Sequence, residues 1–363
     1  MFIYYGLLLF IVLLYLFLHK SKSKNHDVLF LKIVFLVLIV IGSVRSTEVG
    51  GDLWHYLRAY DRFGVEKWSE LFANRTKYGY IFAIISKLAY SIDPSPQTFL
   101  TVMSVVSLLP VYYFIKKYSV NKLMSVFIYI TFGFYTNTFN SIRASIALGV
   151  GLLMMRFIIE RKLWKFLIGV AIAAEIHITF IPFVFLYPLY KKKITEKYLY
   201  LSIVVCFALS QMLSLWQHIV SIGVAYDSAY SNIEKTTGGF TLLILTVGIT
   251  IVFYYINRGK ENEMSRLFSH CLIFACCALC FATCYTVLTR IALFFYVVLI
   301  VYFPLTISGM AKLSTRKVAG MLTYFLFFVY FVLFIMTPLK KYEDSNYQKT
   351  IPYTFCWEVE NKL

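Results

Sequence analysis

Long apolar runs separated by short basic clusters constrain this chain more than any other feature. They occupy Phe2–Leu18, Val28–Val44, Tyr78–Tyr90, Gln97–Ile115, Leu123–Phe139, Ile142–Ile159, Leu163–Tyr190, Tyr198–Trp216, Phe240–Ile256, Leu267–Leu288, Ile291–Met310 and Val318–Met336. A helix crosses a bilayer with about 20 mostly apolar residues, so most of these runs are of spanning length. The 363 residues are 60% hydrophobic and 15% charged, with mean hydropathy +0.72. A soluble domain carries about 25% charged residues, and one water-soluble core cannot hide this surplus of apolar side chains. The expected fold is all-α: one polytopic membrane domain over residues 1–363, with about eleven to thirteen helices. A disordered chain, a secreted disulfide scaffold and a conventional soluble enzyme are excluded.

The net charge is +17, from 35 Lys+Arg against 18 Asp+Glu. The excess lies in clusters between apolar runs, at Lys116–Lys122, Arg156–Lys165, Lys191–Lys197, Arg258–Arg266 and Lys312–Lys317. That pattern marks cytoplasmic loops beside anionic lipid and argues against nucleic acid as a partner. The positive stretch 19–24 places the N-terminus outside, and 45–77 becomes an outer loop. Phe2–Leu18 lacks a basic leader and a small-residue cleavage site, so it reads as a retained span. Cys276, Cys280 and Cys284 recur every four residues on one helix face and read as packing residues, with no metal site expected.

Two runs break the pattern. Tyr78–Tyr90 has 13 residues, about 20 Å as a helix, too short to span; a re-entrant segment is expected. Leu163–Tyr190 has basic clusters on both flanks but only 28 residues. A hairpin bent at His177, its second arm broken by Pro182 and Pro188, satisfies both flanks, provided the irregular backbone lines protein or water.

Ionisable groups at membrane depth cost a few kcal/mol or more and mark functional sites by default. Four places carry them. Arg45 opens Ser46-Thr47-Glu48-Val49-Gly50-Gly51-Asp52, followed by His55 and Tyr56; Asp52 reads either as a general base or as support for a tight glycine turn. Asn140 is placed to cap the next helix, and Arg143 follows one turn in, where a helix N-terminus suits a phosphate oxyanion. Glu175 and His177 sit within an apolar run, and Arg290 lies between two more. With the basic clusters inside, all of these fall on the outer side. Arg45, Arg143 and Arg290 would make a cationic pocket for a diphosphate, with Asp52 or His177 for proton transfer.

Several stretches together resemble the EpsG family of Wzy-type polysaccharide polymerases. They are Arg45…Val49-Gly50-Gly51-Asp52…Tyr56, the run from Phe139 to Ala147, Lys165-Phe166…Ala173…His177, Arg290-Ile291…Tyr296 and Ile351-Pro352-Tyr353. The resemblance implies a GT-C-like helical bundle in a bacterial inner membrane. It implies a glycosyltransferase that joins undecaprenyl-diphosphate-linked oligosaccharide units into O-antigen, capsule or exopolysaccharide at the periplasmic face. Neither cofactor nor metal is implied; membrane lipid and a chain-length regulator protein are candidate partners. Asp52, His177 and Arg143 then become catalytic candidates, and Arg45, Tyr56, Asn140, Arg290 and Tyr296 substrate-binding ones.

One stretch departs from the family. Relatives often carry a Glu-Pro-Gly-Phe-like motif after the first loop, where this chain reads Lys77-Tyr78-Gly79-Tyr80. A role for that glutamate cannot be carried over, and Glu175 beside the histidine is unexpected. Other readings are an O-antigen ligase-type transferase, a transporter of lipid-linked sugars and a membrane O-acyltransferase. The transporter reading expects repeated halves, which this sequence lacks.

Overall fold

The fold is known from a computed structural model that describes residues 2–20, 25–73, 77–212, 239–260, 262–285, 288–336 and 349–359. Among these residues eight helices are long and apolar enough to cross a membrane: Phe2–Lys20, His26–Ser43, Pro96–Tyr118, Ile142–Ile159, Phe240–Asn257, Glu263–Ala282, Thr289–Ser308 and Leu313–Ile335. Two further segments run between the same ends. One spans 122–140 and is broken at Phe132–Gly133 into helices Lys122–Thr131 and Phe134–Asn140. The other is Glu196–Ser210; the rest of the run expected to Trp216 lies outside the described residues. The chain is an all-α, multi-pass membrane protein, as its hydropathy requires.

Local chemistry sets the helix starts. Ser95 accepts the Thr98 amide at 3.3 Å ahead of Pro96, whose missing N–H costs nothing in the first turn. Asn121 accepts the Met124 amide at 3.0 Å. Asn262 and Ser265 form a reciprocal capping box.

Burial separates central from peripheral helices. Of the most apolar stretch of Ile142–Ile159, Glu263–Ala282 and Thr289–Ser308, 67–72% is buried, against 17–28% for Phe2–Lys20, Phe240–Asn257 and Leu313–Ile335. The outer three therefore present most of their apolar surface to lipid. The cysteines of Glu263–Ala282 and Cys284 just after it form a seam against the neighbouring segments Phe240–Asn257 and Glu196–Ser210. Cys276 Sγ lies 3.4 Å from Thr250 Oγ1, and Cys284 Sγ lies 3.3 Å from the Ser210 carbonyl oxygen.

Neither irregular run crosses. Leu163–Ile176 ends at His177, whose backbone is extended, and a 3-10 helix, Ile178–Phe185, carries the chain back. The Phe166 ring stacks on Tyr187 with centroids 5.4 Å apart, and the Arg161 guanidinium sits 4.5 Å from the Tyr190 ring. Both flanks thus lie at one end of the bundle and the bend at the other, as the basic clusters demand. Tyr80–Ile92 begins against Glu175 near that bend. It ends at Asp93, close to Gln97, whose side chain donates to the Arg45 carbonyl at 3.3 Å. Both ends of this helix belong to the same end of the bundle, which leaves a single crossing, Pro96–Tyr118, between Arg45 and Lys116.

The same end is closed by a strip at 349–356. The Ser46 amide donates to the Thr354 carbonyl at 2.9 Å, Gly50 to Lys349 at 2.9 Å and Cys356 to Val44 at 2.9 Å. Tyr4 and Tyr353 hydroxyls donate to the Thr350 and Ile41 carbonyls at 2.8 and 2.6 Å. Beside it the amphipathic helix Leu53–Val65 ends on Lys87, whose buried ammonium donates to the carbonyls of Phe63 (3.1 Å), Gly64 (3.2 Å) and Glu66. A lysine inside an apolar helix is thereby used as a C-terminal cap for its neighbour. Lys87→Met should leave these carbonyls unpaired and cost about 1–3 kcal/mol. Thermal unfolding of the purified protein in detergent should show a lowered midpoint; an unchanged midpoint would remove this role.

Candidate functional site

The polar group is assembled on the turn after His26–Ser43. Gly50 has φ +119°, and a Cβ there would lie 2.4 Å from the Phe139 carbonyl oxygen. Only glycine lets the turn press so close to the end of Phe134–Asn140. The contact brings the Asp52 amide to Asn140 Oδ1 at 2.9 Å. Asn140 therefore holds the Asp52 turn instead of capping the helix after it; Ser141 stands at that cap position.

Arg143 lies in the first turn of Ile142–Ile159. Its Nε donates to the Ile176 carbonyl at 3.0 Å, and its guanidinium lies 5.5 Å from the centre of the Tyr78 ring. Tyr56 lies in the field of Arg143, Asp52 and Arg290. The Tyr56 ring rests against Tyr78 and Phe82, with centroids 6.1 and 5.7 Å away. His177 stands at the bend of the hairpin, 8% exposed. Its Nδ1 is 2.7 Å from Thr179 Oγ1, its ring meets Phe294 edge-on, and it lies in the field of both Arg143 and Arg290. Arg290 closes the group with an ion pair to Asp52 at 3.8 Å.

Six of the residues expected from the sequence therefore meet: Asp52, Tyr56, Asn140, Arg143, His177 and Arg290. Two do not join them. Arg45 is 2% exposed; its Nη1 donates to the Gly42 carbonyl at 3.1 Å and its guanidinium lies 4.4 Å from the Phe139 ring. It lies buried among tyrosines that include Tyr4, Tyr135 and Tyr353, beneath the closing strip and apart from the polar group. Tyr296 is packed into the aromatic core beside Phe132 and Phe134, with centroids 5.7 and 5.6 Å away.

Three residues outside the catalytic and binding candidates belong to its frame: Tyr78, Thr179 and Glu175, whose carboxylate stood out in the sequence without a partner. Glu175 accepts the amides of Tyr80 and Ile81, the latter at 3.1 Å. A carboxylate at a helix N-terminus is favoured by both the bare amides and the helix dipole. The stretch Lys77-Tyr78-Gly79-Tyr80 has no acidic residue of its own and receives one from the hairpin. Gly79, at φ +83°, sits where a Cβ would lie 2.3 Å from the Glu175 carbonyl oxygen. Tyr78 is thus fixed beneath Arg143 by contacts made one residue further on. Its signal in sequence is the Tyr-Gly pair directly before an apolar helix.

The arrangement offers two guanidinium groups, one carboxylate, one imidazole and tyrosine faces at one end of a membrane bundle. Among the described residues no cluster of His, Cys, Asp and Glu could hold a metal ion. A family model described as the EpsG family matches residues 28–355. The chain belongs to the EpsG family. No curated protein and no solved structure matches it. EpsG is a Wzy-like polysaccharide polymerase family, and the match runs from the second helix to the closing strip, so it takes in every segment of the polar group. The role of this EpsG chain is accordingly in polysaccharide biosynthesis at a membrane.

Glu175→Ala should strand two amides at the start of Tyr80–Ile92, at about 1–3 kcal/mol each. Glu175→Gln keeps one acceptor and should lose about half as much. Unfolding midpoints in detergent should rank wild type, Glu175→Gln, Glu175→Ala; equal midpoints would show that the carboxylate does not hold this helix.

Proposed function

We propose that this EpsG chain is a membrane glycosyltransferase that polymerises undecaprenyl-diphosphate-linked oligosaccharide repeat units at the outer face of a bacterial inner membrane. The observation that carries the reading is the meeting of Arg143 and Arg290, from two different membrane helices, around Asp52 and Tyr56 at the end of the bundle away from the basic clusters. Two guanidinium groups suit the four or so oxygens of a diphosphate that gains charge as it leaves. A soluble anion would not require a site at the end of membrane helices; a diphosphate on a polyprenyl chain does.

In this reading the hydroxyl oxygen of the acceptor sugar attacks the anomeric carbon of the donor. The bond from that carbon to the phosphate oxygen breaks, and the lipid diphosphate departs with the electron pair, held by Arg143 and Arg290. Asp52 takes the hydroxyl proton. It suits that task better than Glu175, whose oxygens are engaged by two amides. Thr179 fixes the Nδ1 edge of the His177 imidazole, and the ring orients sugar or phosphate. Tyr56 and Tyr78 supply aromatic edges against sugar rings.

Arg143→Ala should abolish the surface glycan ladder in cells deleted for the native gene, while the protein inserts at normal levels. In a reconstituted assay Asp52→Asn should lower turnover by about 10²-fold or more and spare donor binding. A ladder of normal length from Arg143→Ala would refute the assignment. Transfer to a lipid A core in place of a second repeat unit would make the enzyme a ligase.

A further inference from the structure

At the other end of the bundle a cleft opens where three segments meet: the turn 193–197, the end of Phe240–Asn257 and the start of Glu263–Ala282. Its volume is about 710 Å³. The 20-residue helix that begins beside it leads away to Arg290, so about 30 Å of helix separates the cleft from the polar group described above.

Four cationic side chains line the cleft, Lys193, Lys197, Arg258 and Arg266, with one carboxylate, Glu196. Arg258 and Glu196 pair at 2.5 Å. Arg266 is steadied by a bond from Nη1 to the Lys191 carbonyl, 3.3 Å long. The floor is different in kind. Ile194 and Tyr254 are buried and belong to a small apolar cluster with Leu199 and Ile273, separate from the main core. The helices that end at the cleft leave Leu201, Val204, Ile244 and Val252 exposed along their length, an apolar track that leads from the floor towards lipid.

We propose that this cleft binds the phosphate headgroup of an anionic phospholipid. Cations at the rim select a phosphate, and the apolar floor and flanking helix faces select one that carries acyl chains. The position matches, because helix ends such as Asn257 and Glu263 mark the level of lipid headgroups. Glu196 is the counterweight: it occupies Arg258 and repels a second anion, so it keeps occupancy moderate. The site is independent of the polymerase reading, since none of its residues belongs to the polar group.

Native mass spectrometry of the full chain, purified in detergent and titrated with phosphatidylglycerol or phosphatidylcholine, tests it. Phosphatidylglycerol should be retained in preference to phosphatidylcholine. Lys193→Gln and Lys197→Gln should each weaken retention by about fivefold, and Glu196→Gln should strengthen it. Equal retention of the two lipids, an unchanged Lys193→Gln/Lys197→Gln variant, or weaker retention in Glu196→Gln would overturn the proposal. Displacement of phosphatidylglycerol by inorganic phosphate would also overturn it, by showing a site for the free ion. Lys193 and Lys197 are exposed and Glu196 half-exposed at the rim, and matching elution profiles confirm that the fold is kept.

Discussion

The bond from Arg143 to the Ile176 carbonyl joins the two parts on which the polar end depends. Helix Ile142–Ile159 is central and buried, whereas the hairpin turns back after its bend at His177. At such a bend the backbone leaves helix, and a carbonyl that faces protein must find a donor. Arg143 supplies it at 3.0 Å. The same guanidinium lies over Tyr78, and the same hairpin holds the start of Tyr80–Ile92 through Glu175. One cation therefore ties together a traverse, a hairpin and a surface helix. A guanidinium has five N–H donors in a fixed plane, so it can do this and still present donors to a ligand. Lysine, a point charge without that fork, could not serve both roles.

The rest of the architecture follows from keeping irregular backbone away from lipid. Hairpin 163–189 is allowed because its inner faces pack on Ile142–Ile159 and on helix Thr289–Tyr296, through Phe180 and Phe183 against Phe294 and Phe295. Tyr80–Ile92 is short because it does not cross; it covers the polar end, anchored by Glu175 at its start. The strip 349–356 is the last cover, and its bonds run to the main chain of the Arg45 turn. Arg45 lies beneath that strip, where the Gly42 carbonyl and the Phe139 face compensate its charge.

The spans were legible because apolar length is read directly from the sequence. So was the bend at His177, from basic flanks and two prolines, and so was the gathering of Asp52, Arg143, His177 and Arg290, since ionisable groups at the ends of apolar runs or within them are few. What sequence did not reveal was direction. Arg45 and Arg143 look alike as arginines at the ends of apolar runs. Only packing distinguishes them, since one faces inward onto Phe139 and the other sits at the hairpin bend. Asn140 has the spacing of a helix cap, yet the turn at Gly50 brings a different amide to it. Glu175 read as an anomaly because its partners, the amides of Tyr80 and Ile81, are backbone groups nearly a hundred residues away and carry no side-chain signature.

A chain with this much positive charge distributes it for two different purposes. At the basic-cluster end the cations are numerous, mostly exposed and spread over loops, which suits a lipid surface where each contributes a little. At the other end Arg58, Arg62, Lys67 and Lys77 are exposed and balanced by acidic neighbours, whereas the four cations in or beneath the polar group are positioned by specific bonds: Arg143 by a carbonyl, Arg290 by Asp52, Lys87 by three carbonyls and Arg45 by a carbonyl and a ring. Preorganised donors stabilise developing charge without having to reorganise when it appears, whereas flexible ones first lose freedom and shed water. The end with the positioned cations therefore fits chemistry in which a diphosphate gains charge as it leaves. The crowded end fits reversible adhesion to headgroups. Sequence counts alone would rank them the other way round, because the net charge of +17 comes mostly from clusters remote from the proposed reaction.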